Sequence, residues 1–117
     1  MPAKTNKLIK KKTIKMPMAL VYITCRDEKE AKKISMHLLK KRLIACANIF
    51  PVKSMYRWQN KIVNEKENVI IAKTSSRNFD KVVKEVEKIH SYNIPCILRL
   101  DAETSKKYGE WAESELR

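Results

Sequence analysis

Few side chains in this 117-residue chain could do chemistry, and they are scattered: two histidines, His37 and His90, and three cysteines, Cys25, Cys46 and Cys96. His90 ends an amphipathic run and precedes Ser91-Tyr92-Asn93-Ile94-Pro95. Imidazole is a good ligand for Cu(II) or Zn(II). A histidine at a helix C-terminus also suits the negative end of the dipole without any metal. His37, between Met36 and Leu38, reads as a flank or surface residue. Cys25 closes one apolar run and Cys96 opens another. If those runs are neighbouring antiparallel strands, both thiols lie at the same end of the sheet. There they either form a soft ligand pair for Cu(I) or zinc, or point to opposite faces. Cys46 lies inside an apolar run, where a free thiol is a metal ligand or simply a small hydrophobe. A third set, Tyr56, Arg57, Trp58, Lys73, Tyr92 and Trp111, is basic and aromatic. It reads as the lining of an intersubunit cleft for an anion or small ligand, or as interface packing, where these residue types are enriched.

Patterns for catalysis are missing. Gly109 is the single glycine, so no glycine-rich phosphate loop can form. HExxH, GxSxG and paired carboxylates are absent. Cys46 and His90 could make a nucleophile and base, but nothing in the sequence joins them. The expectation is a protein that is not an enzyme. An odd, scattered set of cysteines without a Cys-x-x-Cys reads as free thiols in a reducing compartment, hence a cytoplasmic protein. No apolar run approaches the roughly 18 residues of a membrane helix.

Charge divides the chain. The net charge is +13, and the first 17 residues hold six lysines and no acid. Residues 1–17 therefore read as a basic, disordered extension, and 18–117 as the folded domain. The extension is either solvated bulk or an electrostatic arm for nucleic acid, an anionic membrane or organelle import.

The elements that must hold these residues follow from periodicity. Ala19 to Thr24 reads as a central strand buried on both faces. Ala31, Ile34, Leu38 and Leu39 recur at helical spacing between Glu28 and Arg42. Asp27 and Glu28 supply charge at that helix's start, and Lys40 to Arg42 at its end. Ala45 to Trp58 reads as a strand interrupted at Pro51, with Val52, Ser54, Tyr56 and Trp58 on one face. Gln59-Asn60 makes the turn, and Lys61 to Thr74 returns. Ser75 or Ser76 caps a second helix with Phe79, Val82, Val83, Val86 and Ile89 on one stripe. Cys96 to Leu100 is a short fourth strand, and Thr104 caps a last helix carrying Tyr108, Trp111 and Ala112. The order β-α-β-β-α-β plus a terminal helix is the α+β, ferredoxin-like split plan. Its antiparallel sheet has order 4-1-3-2, with helices on one face. The two middle strands are about twice the usual length, too long for one small subunit to cover.

Several stretches resemble the CutA divalent-cation tolerance family. Ala45-Cys46-Ala47-Asn48-Ile49-Phe50-Pro51 is similar to its signature ACVNIFP, and Ser54 to Ile62 to SIYRWEGKI. Lys73-Thr74 matches the Lys-Thr that ends its third strand. His90 to Pro95 is similar to HPYEVP, and Tyr108 with Trp111 to YLxW. The resemblance covers everything from about Met18 onward. It implies a homotrimer joined through the long strands and a link to tolerance of copper and other divalent cations. Ser91, Asn93 and Cys96 depart from the usual Pro, Glu or Gln, and Glu, and Gln59-Asn60 replaces Glu-Gly. With those acids gone, thiol and imidazole must supply any metal ligands: His90, Cys96, Cys25 and Cys46, favouring copper or zinc. The alternatives are a ligand-sensing trimer like the PII proteins and an RNA-binding domain of the same fold.

Overall fold

The computed structural model describes residues 15–117, and Lys15 already belongs to the sheet. The elements in chain order are β1 (Lys15–Cys25), α1 (Glu28–Lys40), β2 (Cys46–Trp58), β3 (Lys61–Thr74), a 3-10 turn (Ser76–Asn78), α2 (Phe79–Ile89), β4 (Ile97–Ser105) and α3 (Lys106–Glu115). The strands form one antiparallel sheet in the order β2-β3-β1-β4, the expected 4-1-3-2. The fold is the α+β split plan read from the sequence.

Alternation along β1 divides the sheet into two faces. Val21, Ile23 and Cys25 point one way, into a core with Ala31, Ile34 and Leu38 of α1 and Val82 and Val86 of α2. Met18 and Leu20 point the other way and meet Tyr108, Trp111 and Ala112 of α3. So α1 and α2 cover one face of the sheet's body, whereas α3 covers only one end of the other. The rest of that second face is open, and Leu98 and Leu100 of β4 stand on it half exposed.

Three boundaries differ from expectation, each because pairing extends an apolar run into polar sequence. β1 begins at Lys15, not near Met18: Lys15, Met16 and Pro17 face Ser105, Thr104 and Glu103 of β4. Only the rest of the basic extension, residues 1–14, lies outside the described residues. β4 continues to Ser105 instead of ending at Leu100, and Cys96 precedes it. Thr104 is therefore a strand residue, and Ser105 stands at the N-cap of α3 without a side-chain bond. α3 approaches so closely here that a Cβ on Gly109 would collide with the Met16 thioether and with Thr104 Cγ2. This packing need explains a glycine inside a helix.

Pro51 does not interrupt β2. It sits opposite Asn68 on an edge strand, where its missing N–H costs no ladder bond. Gln59 and Asn60 both take positive φ, 48° and 63°, as a two-residue hairpin turn of the primed kind requires. Beyond Asn68, β3 has no partner but β2. Val52–Trp58 and Lys61–Glu67 thus make a two-stranded arm, roughly 20 Å long at about 3.4 Å per residue. The arm accounts for extents of 57 × 26 × 23 Å.

Candidate functional site

Where β1 ends and α1 begins, the chain makes a tight polar knot. Asp27 caps α1 by accepting from the Glu30 amide at 2.8 Å. Glu30 turns back into the protein and is buried. Its Oε1 accepts from the Arg26 amide at 2.8 Å, and its Oε2 from the Ser91 amide at 2.9 Å. Burial works against the charge on Glu30, but these two amides outweigh it and hold the carboxyl below its ordinary value. The carboxylate therefore ties the start of α1 to the loop that follows α2.

His90 stands on that loop. Its Nε2 lies 2.8 Å from the Thr24 carbonyl, which can only accept, so Nε2 carries a proton. Its Nδ1 accepts from the Tyr92 amide at 3.0 Å. Cys25 completes the group, fully buried. Ligand atoms of Cys25, Glu30 and His90 all lie within 4.8 Å of one another. Burial, then the charges of Glu30, Glu67 and Asp27, push the Cys25 thiol up to about 12. Thiol, carboxylate and imidazole are donors that fit zinc or copper. Metal entry would displace the Cys25 proton and release one His90 bond. The Glu30 oxygens keep spare lone pairs.

On the open face, beside the knot, runs a cleft of about 690 Å³. Tyr22 and Thr24 of β1, Tyr56 and Trp58 of the arm, and Tyr92 and Cys96 of the loop line it, with Glu67 between them. Glu67 is 6% exposed and accepts from the Tyr92 hydroxyl at 2.6 Å. Glu65 accepts from the Tyr56 hydroxyl at 2.5 Å. The bond to Glu65 foremost, with burial, pushes the Tyr56 phenol up to about 12, and burial with the Glu67 bond raises Tyr92 further. Both phenols stay protonated donors across the ordinary pH range.

The structure sorts the expected site residues into separate groups. Cys25 and His90 come together. Cys96 does not join them: it is exposed in the cleft, on the opposite face of the sheet from Cys25. Cys46 lies opposite Lys73, at the end of the sheet that α3 covers. The basic and aromatic set also divides. Tyr56, Trp58 and Tyr92 line the cleft, but Arg57 lies on the other face of the arm by strand alternation. Lys73 and Trp111 belong with Tyr108 under α3. The cleft is thus mainly aromatic, with one acid, Glu67, and one base, Lys53, on its lining. His37 is half-buried and bonded to Glu85. Glu30 and Glu67 were not among the expected residues. The spacing Asp27-x-x-Glu30 is a capping-box signal that points to Glu30; nothing in the alternating run of β3 marks Glu67.

Comparison with known proteins agrees with the fold. Residues 19–115 match the family described as CutA1 divalent ion tolerance protein. The divalent-cation tolerance protein CutA of Archaeoglobus fulgidus is 42% identical over 94 residues, covering 80% of this chain and 92% of the relative. The chloroplastic protein CutA of Arabidopsis thaliana is 30% identical over 104 residues, 87% of this chain and 57% of the relative. The solved structure from Archaeoglobus fulgidus, described as a periplasmic divalent cation tolerance protein, superposes with a TM-score of 0.84 at 38% identity, covering 86% of this chain and 99% of that one. CutA from Synechococcus elongatus superposes with a TM-score of 0.86 at 29% identity, covering 92% and 97%. The chain belongs to the CutA1 divalent ion tolerance protein family.

Proposed function

We propose that this protein is a non-catalytic, cytoplasmic homotrimer that binds a divalent transition metal, copper or zinc, through Cys25, Glu30 and His90. The observation that carries the reading is the convergence of three different ligand types within 4.8 Å at a knot joining β1, α1 and the loop after α2. A sulfur donor makes the site softer than magnesium or calcium sites. Both histidines are committed, His37 to Glu85 and His90 to backbone groups, which favours a holding role over acid–base turnover. Free thiols at all three cysteines suit a reducing compartment. The trimer is supported by the open sheet face and the uncovered arm, the two surfaces that one subunit leaves bare.

Calorimetric titration of the reduced protein with Cu(II) or Zn(II), and with Mg(II) as control, tests the reading. The expected result is micromolar or tighter binding of the transition metal, stronger at pH 8 than at pH 6 because binding expels the Cys25 proton. Cys25→Ser and His90→Ala should each weaken it. Equal binding by the double variant would move the site elsewhere. A second reading, sensing of a small ligand, is favoured by the cleft, whose volume falls in the usual range for small-molecule sites.

A further inference from the structure

The outer side of the two-helix layer carries a charge pattern that neither the core nor the metal reading uses. Ala31, Ile34 and Leu38 turn one side of α1 inward, and Val82 and Val86 do so for α2. The bonds of Glu85 to His37 and Lys41 fix which flank of each helix faces the other. At 3.6 residues per turn, Lys29, Lys33 and Lys40 fall within about 40° of one another, on the part of the outer face that leans toward α2. Lys81, Lys84 and Lys88 fall within about 60°, on the part of α2 that leans toward α1. Asp80 and Glu87 lie on the far flank of α2, away from this seam. All of these side chains are exposed. Glu85, the acid within the seam, is already taken up by His37, Lys41 and Lys88. Lys32 is paired with Glu28, whereas Lys29, Lys33, Lys40, Lys81 and Lys84 enter no ion pair among the described residues. Lys29 and Lys33, and Lys81 and Lys84, also stand at the i,i+4 and i,i+3 spacings where like charges repel and weaken a helix.

We propose that this seam binds the phosphate backbone of a nucleic-acid duplex, with Lys29, Lys33 and Lys40 meeting phosphates along one side and Lys81 and Lys84 along the other. The α1 row runs about 16 Å at 1.5 Å per residue. The two rows stand roughly one helix spacing apart, 8–10 Å. Lysine ammonium groups act on phosphate as point charges and read no base sequence. Phe79 packs against the core, so the seam offers unpaired bases no aromatic ring to stack on. A duplex needs no such ring, and it presents phosphate charge at twice the density of one strand. An anionic membrane fits less well. The apolar stripes of both helices are committed to the core, leaving Met36 and Leu39 of α1 to enter lipid. The seam lies on the opposite side of the sheet from the open face through which we propose the subunits assemble. It therefore stays accessible in the assembly.

The test titrates the full chain, reduced and without added metal, against a short fluorescent DNA duplex of mixed sequence, read by anisotropy at salt from about 50 to 200 mM. Wild type should bind, and a duplex of different sequence should bind equally well. Each phosphate contact adds about −0.9 to the slope of log K against log salt, so Lys33→Gln with Lys84→Gln should make the slope shallower by roughly 1.8. Glutamine is a good helix former, so these exposed changes leave the fold intact, and circular dichroism confirms it before titration. Lys33→Arg with Lys84→Arg should keep the wild-type slope. Lys106→Gln with Lys107→Gln removes the same charge from exposed positions on α3 and should also keep it. An unaltered slope in the seam glutamine variant would overturn the proposal, because lysines elsewhere, such as those of residues 1–14, would then carry the binding. An equal change in the α3 variant would reduce the effect to net charge and overturn it too. So would the absence of binding at low salt, or tighter binding to phosphatidylserine vesicles than to the duplex.

Discussion

Glu30 shows how one side chain can set local structure. Its carboxylate accepts from two backbone amides 65 residues apart in sequence, Arg26 and Ser91. Glutamine in its place keeps an accepting oxygen for one amide and turns an NH2 group toward the other. One buried N–H then lacks a partner, which costs about 1–3 kcal/mol. Denaturant titration at pH 7 should show this loss in Glu30→Gln. The pH dependence has a definite sign. The folded carboxyl titrates below its reference value of 4.5, so its contribution is complete above that value and fades as pH falls through the lower, folded value. Wild type and variant should therefore converge in acid. The same substitution should weaken transition-metal binding if the proposed site is right, since an amide oxygen is a poorer ligand than a carboxylate.

At the scale of elements, α1 and α2 are clasped by Glu85. Its carboxylate meets Lys88 at 2.7 Å, His37 at 2.9 Å and Lys41 at 3.4 Å. The bond from Lys88 above all, then that from His37, lower the Glu85 carboxyl from 4.5 to about 2. A depressed acid stabilises the fold above its unfolded value and loses that contribution as pH falls toward the folded one. Glu85→Gln should lower Tm at pH 7, and the gap from wild type should close between pH 4.5 and about 2. Added salt should also shrink it, because the cluster is near solvent. The clasp was not legible in the sequence, since His37 and Glu85 are 48 residues apart. The helices themselves were legible, because Ala31, Ile34 and Leu38, and Val82 and Val86, carry a period that only a sheet-facing helix explains. The strand ends were not. Lys15 to Pro17 and Asp101 to Ser105 lie outside the apolar runs and join the sheet because each supplies the other's partner. The knot was half legible: Cys25 and His90 stood out by type, but only the fold separates Cys25 from Cys96 by face. A chain begun at Met18 should accordingly melt lower than one begun at Lys15. It loses three strand positions and the Met16 side chain that packs over Gly109. A deficit of about 1 kcal/mol would appear as some 4–8 °C in Tm.

At the scale of the whole molecule, the two ends of the sheet pose a single problem. The sheet has two free edges, β2 with its projecting arm and β4, and they are different surfaces. An interface that joins one to the other is heterologous, and heterologous contacts close into rings when the rotation allows. The apolar groups left bare sit at both ends of such a contact: Tyr56 and Trp58 on the arm, Leu98 and Leu100 on β4, the two leucines 51% and 54% exposed. Exposed apolar edges also invite uncontrolled strand pairing, so a closed ring removes a hazard as well as burying area. The ring of three that we propose makes a firm expectation. Light scattering coupled to size exclusion should give about three times 13.7 kDa for the wild type. Leu98→Asp combined with Leu100→Asp should yield a folded species of one chain mass, since neither side chain contributes to the described core clusters. Trp58→Ala should weaken the ring from the other side, by 2 kcal/mol or more if it is a central anchor. If the leucine double variant keeps the wild-type mass, β4 is not the receiving edge, and the arm must be covered in some other way.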